Sequence, residues 1–190
     1  MRVFIAIELP REIREKLSQN QAQLKITGAD VKWVEPRNIH LTLKFLGEID
    51  EKILPQIIGI LEDIAKTHKA FVMRLSSIGA FPKPSSPRVI WAGVDKGDLE
   101  TKELAKILEE KLKNFGIPAE DRPFSSHITI GRTRTGLNIR NLVQGLNNLL
   151  NNFAGKNQEF AVGKITLFKS TLTPKGPIYE ILKEAVFASI

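Results

Sequence analysis

Short apolar runs bounded by turn residues alternate along this chain with longer stretches in which apolar residues return every three or four positions. The first pattern is that of strands and the second that of helices. Val3 to Leu9 reads as a strand, and Pro10, suited to a first helical position, opens a helix with Ile13, Leu17 and Leu24 on one stripe. A strand follows at His40 to Leu43. Asp50 then caps a helix on which Ile53, Leu54, Ile57, Ile58, Leu61 and Ile64 keep helical spacing, and Phe71 to Ala80 reads as a further strand. Pro82-Lys83-Pro84-Ser85-Ser86-Pro87 reads as a linker.

Beyond it the order of elements repeats. Arg88 to Val94 is a strand, Asp98 caps a helix carrying Leu104, Ile107, Leu108, Leu112 and Phe115, and Gly116 stops it. A strand at His127 to Ile130 precedes a helix with Ile139, Leu142, Val143, Leu146, Leu149, Leu150 and Phe153. A strand from Phe160 to Lys169 and a last one near Ile178 to Phe187, separated by a turn at Pro174-Lys175-Gly176, complete the pattern. Matching positions keep nearly constant separations: Arg2 and Arg88, His40 and His127, and Phe71 and Phe160 stand 86, 87 and 89 positions apart. The reading is one domain over residues 1–190, internally duplicated about a pseudo-twofold axis, with halves of about 1–82 and 88–190. Strand direction is open at this level, since crossover helices suit parallel pairing and the closing hairpin suits antiparallel pairing.

A length of 190 residues with 42% hydrophobic and 26% charged residues is that of a globular protein. Without an apolar run of bilayer-spanning length or a cleavage site in the opening segment, the expected setting is the cytoplasm, with no membrane partner. The absence of Cys excludes disulfides, a thiol nucleophile and thiolate metal sites, and with only three histidines no metal site and no cofactor are expected. A net charge of +7 favours an anionic partner, although the basic residues are spread along the chain as on a solvated surface.

The two His strands hold two of those three histidines in one pattern, His40-Leu41-Thr42-Leu43 and His127-Ile128-Thr129-Ile130. Alternation sets His and Thr on one face of each strand and turns the residue between them into the core. Two such pairs facing across a cleft supply a base, an acid and two hydroxyl donors, the parts needed to move a phosphoryl group without a metal. With one imidazole pushed toward its charged form and the other toward its neutral form, the pair predicts a bell-shaped pH dependence. The third histidine, His68, falls at a helix C-terminus, where a basic group suits the exposed carbonyls, and receives no catalytic role.

Several stretches of the chain, in order, resemble signatures of the two-histidine phosphoesterases, and among them of the RNA 2',3'-cyclic phosphodiesterases also called 2'-5' RNA ligases. They are Arg2-Val3-Phe4-Ile5-Ala6-Ile7-Glu8-Leu9-Pro10, the run Val34 to Gly47 that contains the first motif, Pro87-Arg88-Val89-Ile90-Trp91-Ala92-Gly93-Val94, and His127-Ile128-Thr129-Ile130-Gly131-Arg132. The resemblance implies an α+β, bilobal fold with mainly antiparallel sheets and outer helices on either side of a central cleft. It also implies metal-independent hydrolysis of RNA 2',3'-cyclic phosphate ends, with tRNA fragments and nucleotides as partners, and a monomer is expected. It assigns His40 as the proton donor to the 3'-oxygen, leaving a 2'-phosphate, and His127 as the proton acceptor from water; the residues alone do not choose between the two orders.

Thr42 and Thr129 are read as donors to the phosphate oxygens. Arg132 and Arg134 are candidate substrate contacts, with Arg132 reaching the His face only if the strand ends or bulges at Gly131. Lys44 shares the parity of His40 and Thr42 and is a third such candidate. One of the aromatic residues near the cleft is expected to stack on the terminal base, without a choice among them. Reverse 2'-5' ligation, a phosphodiesterase of small cyclic nucleotides such as ADP-ribose cyclic phosphate, and a binding module without chemistry remain as alternatives.

Overall fold

Strand β1 (Arg2–Glu8) sends Val3, Ile5 and Ile7 into the main core and Phe4 and Ala6 to its other face, where they join Phe168 and Tyr179 in a second, smaller apolar cluster. A strand apolar on both faces needs cover on both, and the rest of the chain supplies it. The computed structural model describes residues 1–188. After β1 come α1 (Arg11–Lys25), β2 (Val31–Trp33), β3 (His40–Glu48), α2 (Leu54–Thr67), β4 (Phe71–Lys83), β5 (Ser86–Val94) and α3 (Asp98–Leu112). Then follow β6 (His127–Thr133), α4 (Ile139–Asn152), β7 (Glu159–Val162), β8 (Lys164–Thr173) and β9 (Gly176–Val186).

The strands form a four-stranded sheet in the order β3-β1-β8-β9 and a five-stranded sheet in the order β2-β6-β5-β4-β7, with antiparallel pairing throughout. Helices α2 and α3 pack on the first sheet, α1 and α4 on the second. This is a bilobal α+β architecture. The helical stripes bury as spaced: Leu17, Ile57, Leu61, Leu104, Leu108, Leu112 and Leu142 are fully enclosed in one continuous core. Among the described residues no helix is long and apolar enough to cross a membrane.

The halves interleave. From the first half, β4 pairs with β5 inside the five-stranded sheet; from the second, β8 pairs with β1 inside the four-stranded one. The proline-rich stretch expected to be a linker is therefore a hairpin: Pro82 pairs with Pro87 and Lys83 with Ser86. The strand expected from Phe160 to Lys169 is two. Residues Glu159–Val162 pair with Phe71–Arg74 of β4, and after Gly163 the chain changes sheet, so that β8 runs between β1 and β9. The three-residue β2 is too short to show an alternating pattern and was not expected.

Helix starts differ slightly from expectation. Pro10 is the cap and not the first residue of α1, and Asp50 caps a single 3-10 turn, accepting from the Lys52 amide at 2.9 Å, before α2 begins. At α3 the cap is Gly97, with φ of +84°, and Asp98 is the first helical residue. Besides the positive φ, a Cβ at position 97 would lie 2.9 Å from the Val72 carbonyl oxygen, so only glycine suits this turn against β4.

Candidate active site

His40 begins β3 and His127 begins β6, and the Cα atoms of these two strands come within 8 Å, although they belong to different sheets. The two ends are built alike. His40 Nδ1 lies 2.7 Å from the Asn38 carbonyl oxygen and His127 Nδ1 lies 2.8 Å from that of Ser125, each two residues back along the chain. A carbonyl only accepts, so both rings carry their proton on Nδ1 and hold Nε2 as the exchangeable atom. Thr42 and Thr129 follow on the same faces as their histidines. The Thr42 hydroxyl is 2.9 Å from His40 Nε2 and donates to it in the neutral state. Thr129 Oγ1 makes no hydrogen bond among the described residues and is available to a ligand.

Beyond each Thr the strand bulges. Ala6 pairs with Thr42 but Ile5 with Lys44, leaving Leu43 as the extra residue; Trp91 pairs with Thr129 but Ile90 with Gly131, leaving Ile130. Such an insertion reverses the facing of everything after it. Lys44 is accordingly not a cleft residue. It follows Ile5 to the helix side, where it is buried and ion-paired with Glu109 of α3 at 2.7 Å. Phe45 takes the cleft face instead, 56% exposed, with its ring centroid 6.1 Å from that of Phe4. In β6 the same device brings Arg132 to the face of Thr129, with the bulge one residue earlier than the glycine expected to carry it. The displaced Ile130 carbonyl accepts from the Gln21 side chain of α1 at 2.8 Å and from the Val34 amide at 3.0 Å.

His40 rests on the small apolar cluster, its ring 4.9 Å from Phe4 and 5.5 Å from Tyr179. Phe81 meets His127 edge-on at 5.2 Å and Trp91 at the same centroid separation. Burial lowers the pKa of His40, opposed by its bond to Asn38. Burial also lowers that of His127, opposed by Ser125 and reinforced by the charge of Arg132. Tyr179, pushed up by burial, feels the charge of Arg132 in the opposite sense. The expectation of one charged and one neutral imidazole therefore does not hold in the free protein. Both are driven toward neutrality, because apolar rings surround them and no carboxylate offsets the lost hydration.

The unfolded chain takes up protons near the ordinary histidine pKa of about 6.5, while the folded chain resists until a lower pH. Stability is therefore full above about pH 6.5 and falls as the pH drops toward the lowered native values. Urea unfolding midpoints are expected to decline over that interval, and to decline less in a His40→Ala/His127→Ala variant. Equal slopes for the two proteins would refute the coupling.

Beside His40 lies a cavity of about 540 Å³ whose wall includes Phe4, Asn38, Phe45, Tyr179 and Trp33. Arg2, Lys32, Arg132, Arg134 and Lys175 also line it, and none of these five has a carboxylate within ion-pairing distance among the described residues. The one acidic residue of the lining, Glu35, is 2.8 Å from Arg37. Arg132 and Arg134 were candidates from the sequence; Arg2, Lys32, Lys175 and Tyr179 were not. Tyr179 is the only tyrosine of the chain, but its place beside His40 depends on β9 returning along β8. Among the described residues no cluster of three or more His, Cys, Asp or Glu is placed to hold a metal ion.

Comparison with known proteins follows the same lines. A family model described as LigT like Phosphoesterase matches the chain twice, over residues 7–91 and 95–179. A curated RNA 2',3'-cyclic phosphodiesterase of Methanocaldococcus jannaschii is 40% identical over 184 residues, covering 97% of this chain and 99% of that protein. A crystal structure from Thermus thermophilus superposes with a TM-score of 0.81 at 30% identity, covering 98% of both chains. The structure of E. coli LigT complexed with 3'-AMP gives 0.79 at 27% identity, covering 98% of this chain and 97% of the other.

Proposed function

The chain belongs to the LigT-like phosphoesterase family, and from that premise we propose that it is a phosphodiesterase opening the 2',3'-cyclic phosphate at RNA ends, with His40 as acid and His127 as base. One observation carries the reading: two imidazoles, each locked by a backbone carbonyl at Nδ1, begin two strands in contact and keep Nε2 as the atom that exchanges protons. His127 Nε2 takes a proton from water as its oxygen attacks phosphorus. The bond from phosphorus to the 3'-oxygen breaks on the opposite side, and His40 Nε2–H protonates that oxygen, leaving a 2'-phosphate and a 3'-hydroxyl. Thr42, Thr129 and Arg132 meet the charge on the non-bridging oxygens. Proton exchange with solvent then resets the two rings.

Arg132 supports this order of roles. Burial keeps His127 toward the neutral form a base needs, and the charge of Arg132 adds to it; His40 is held toward neutrality by burial without such a cation and gains its proton when the anionic phosphate arrives. Maximal kcat/KM is thus expected below about pH 6.5, with the alkaline limb of kcat displaced upward from that of kcat/KM. The unpaired cations and the exposed ring of Phe45 favour an RNA chain over a mononucleotide: Arg134, Lys32 and Lys175 suit phosphates on the 5' side, and Phe45 suits a base face. E. coli LigT is known in complex with 3'-AMP, a nucleotide whose phosphate sits on one of the two ribose oxygens that the cyclic ester bridges.

With the 5'-hydroxyl of a second RNA in place of water, the same groups form a 2'-5' linkage. A single cytoplasmic chain is the proposed active unit, since both His strands come from one polypeptide, and the paired bulges at Leu43 and Ile130 support an origin by duplication. The deciding experiment supplies an RNA ending in 2',3'-cyclic phosphate, with EDTA present, beside the corresponding mononucleotide. Formation of 2'-phosphate, with lower KM for the RNA, is the expected result. Loss of turnover in EDTA, a 3'-phosphate product, or binding without product would each reject the reading.

A further inference from the structure

Lys44 holds an ammonium where the core would accept a hydrocarbon. Its side chain is 2% exposed, and its Nζ lies 2.7 Å from Glu109 Oε2 and 3.7 Å from Glu120 Oε1 while donating to the Pro118 carbonyl at 2.8 Å. The ammonium is enclosed while its partners reach water, with 29% of the Glu109 side chain and 54% of that of Glu120 exposed, and a well-packed apolar side chain of similar volume in place of the lysine would match its stability. What the ammonium provides is direction, because its hydrogens meet the Glu109 carboxylate and the Pro118 carbonyl, with Glu120 farther off.

Two of the three oxygens, those of Pro118 and Glu120, belong to one segment. Residues 117–126 form neither helix nor strand and deliver the chain directly into His127. At the start of this segment Pro118 is held by Lys44, and the Glu120 amide donates to Glu109 at 2.8 Å, so that Glu109 grips both the ammonium and the segment. At its end the Ser126 hydroxyl lies 2.7 Å from that of Thr101, again on α3, and the Ser125 carbonyl fixes His127 Nδ1. The anchor for all this stands on β3, two residues beyond Thr42, turned to the back of the sheet by the bulge at Leu43.

We infer that Lys44 is a positioning residue through which the His40 strand sets the placement of His127, by holding the segment that leads into it. The two motif strands are thereby registered through bonds on the helix side of the sheet, and not only through the cleft. The inference rests on the proposed hydrolysis for its kinetic arm alone.

The test replaces Lys44 by Met, which fills the volume without the charge, with Lys44→Arg as the conservative control. In the Met variant kcat on cyclic-phosphate RNA is expected to fall about 10- to 100-fold with little change in KM, since displacement of a catalytic group by about 1 Å costs that much. The Arg variant recovers part of the loss. In a His127→Ala background the same Lys44→Met change adds almost nothing, because a group that acts through His127 has no effect once His127 is gone. Imidazole nitrogen resonances supply a readout free of activity: the His127 signals leave the Nδ1–H pattern in the Met variant while those of His40 stay. Equal losses in both backgrounds, or unmoved His127 resonances, overturn the inference. If Lys44→Met fails to fold, Glu109→Gln is read by the same criteria. A wild-type protein inactive on cyclic phosphate would defeat the functional reading, and the resonances would still decide the role of Lys44.

Discussion

Alanine at His127 is expected to lower turnover of cyclic-phosphate RNA by about 10²- to 10⁴-fold, and alanine at His40 by a similar factor, the usual worth of one general base or acid. Both variants should remain folded, since each histidine is only partly buried and stands at the start of its strand. Equal losses would not tell acid from base, but a substrate with sulfur in place of the bridging 3'-oxygen does. A thiolate departs without a proton, so this substrate should restore most of the activity of His40→Ala and little of that of His127→Ala. Rescue of the His127 variant instead would exchange the roles and remove the argument drawn from the charge of Arg132. Near wild-type turnover by either variant on the natural ester would remove that residue from the chemistry altogether.

Loss of a hydroxyl beside either histidine should be nearly as costly. Thr42→Val and Thr129→Val keep the branched shape that suits a strand and take away only the donor, and each should reduce kcat by about 10²-fold if it meets charge on the phosphoryl oxygens. The two differ in a second respect. In the free protein the Thr42 hydroxyl lies 2.9 Å from His40 Nε2, donating to the neutral ring and accepting from the charged one. Its removal should displace the His40 titration and with it the alkaline limb of the kcat/KM profile, whereas Thr129→Val leaves that limb in place. Valine variants that raise KM at unchanged kcat would show that the hydroxyls bind the ground state only.

Much of this site was legible from periodicity. Val3, Ile5 and Ile7 against Phe4 and Ala6, and Leu41 and Ile128 between their polar neighbours, follow strand alternation because each strand has a core to fill on one side. The helical stripes are equally direct. Lys44 shows where the rule stops. Parity counts residues, and Leu43 and Ile130 are composed like any strand residue, so nothing local announces that each is one too many. The bond that satisfies the displaced Ile130 carbonyl comes from Gln21, 109 positions away. Arg2, Lys32 and Lys175 read singly as solvated surface charges; only the sheet order brings their strands and turn together on one cavity. Tyr179 needed the β8–β9 hairpin, and the division at Gly163 needed the knowledge that two sheets compete for one stretch of chain.

The hairpin at Pro84 and Ser85 is the shortest route between the halves, yet cutting it should not part them. An N-terminal fragment would keep β4 and miss β5, its neighbour; a C-terminal fragment would keep β8 and miss β1. Each piece thus carries the missing rib of the other. A nicked protein is bound to persist as a reassociated pair, and the spacing of the cleft is secured by this mutual trade of strands and not by the covalent thread that joins them.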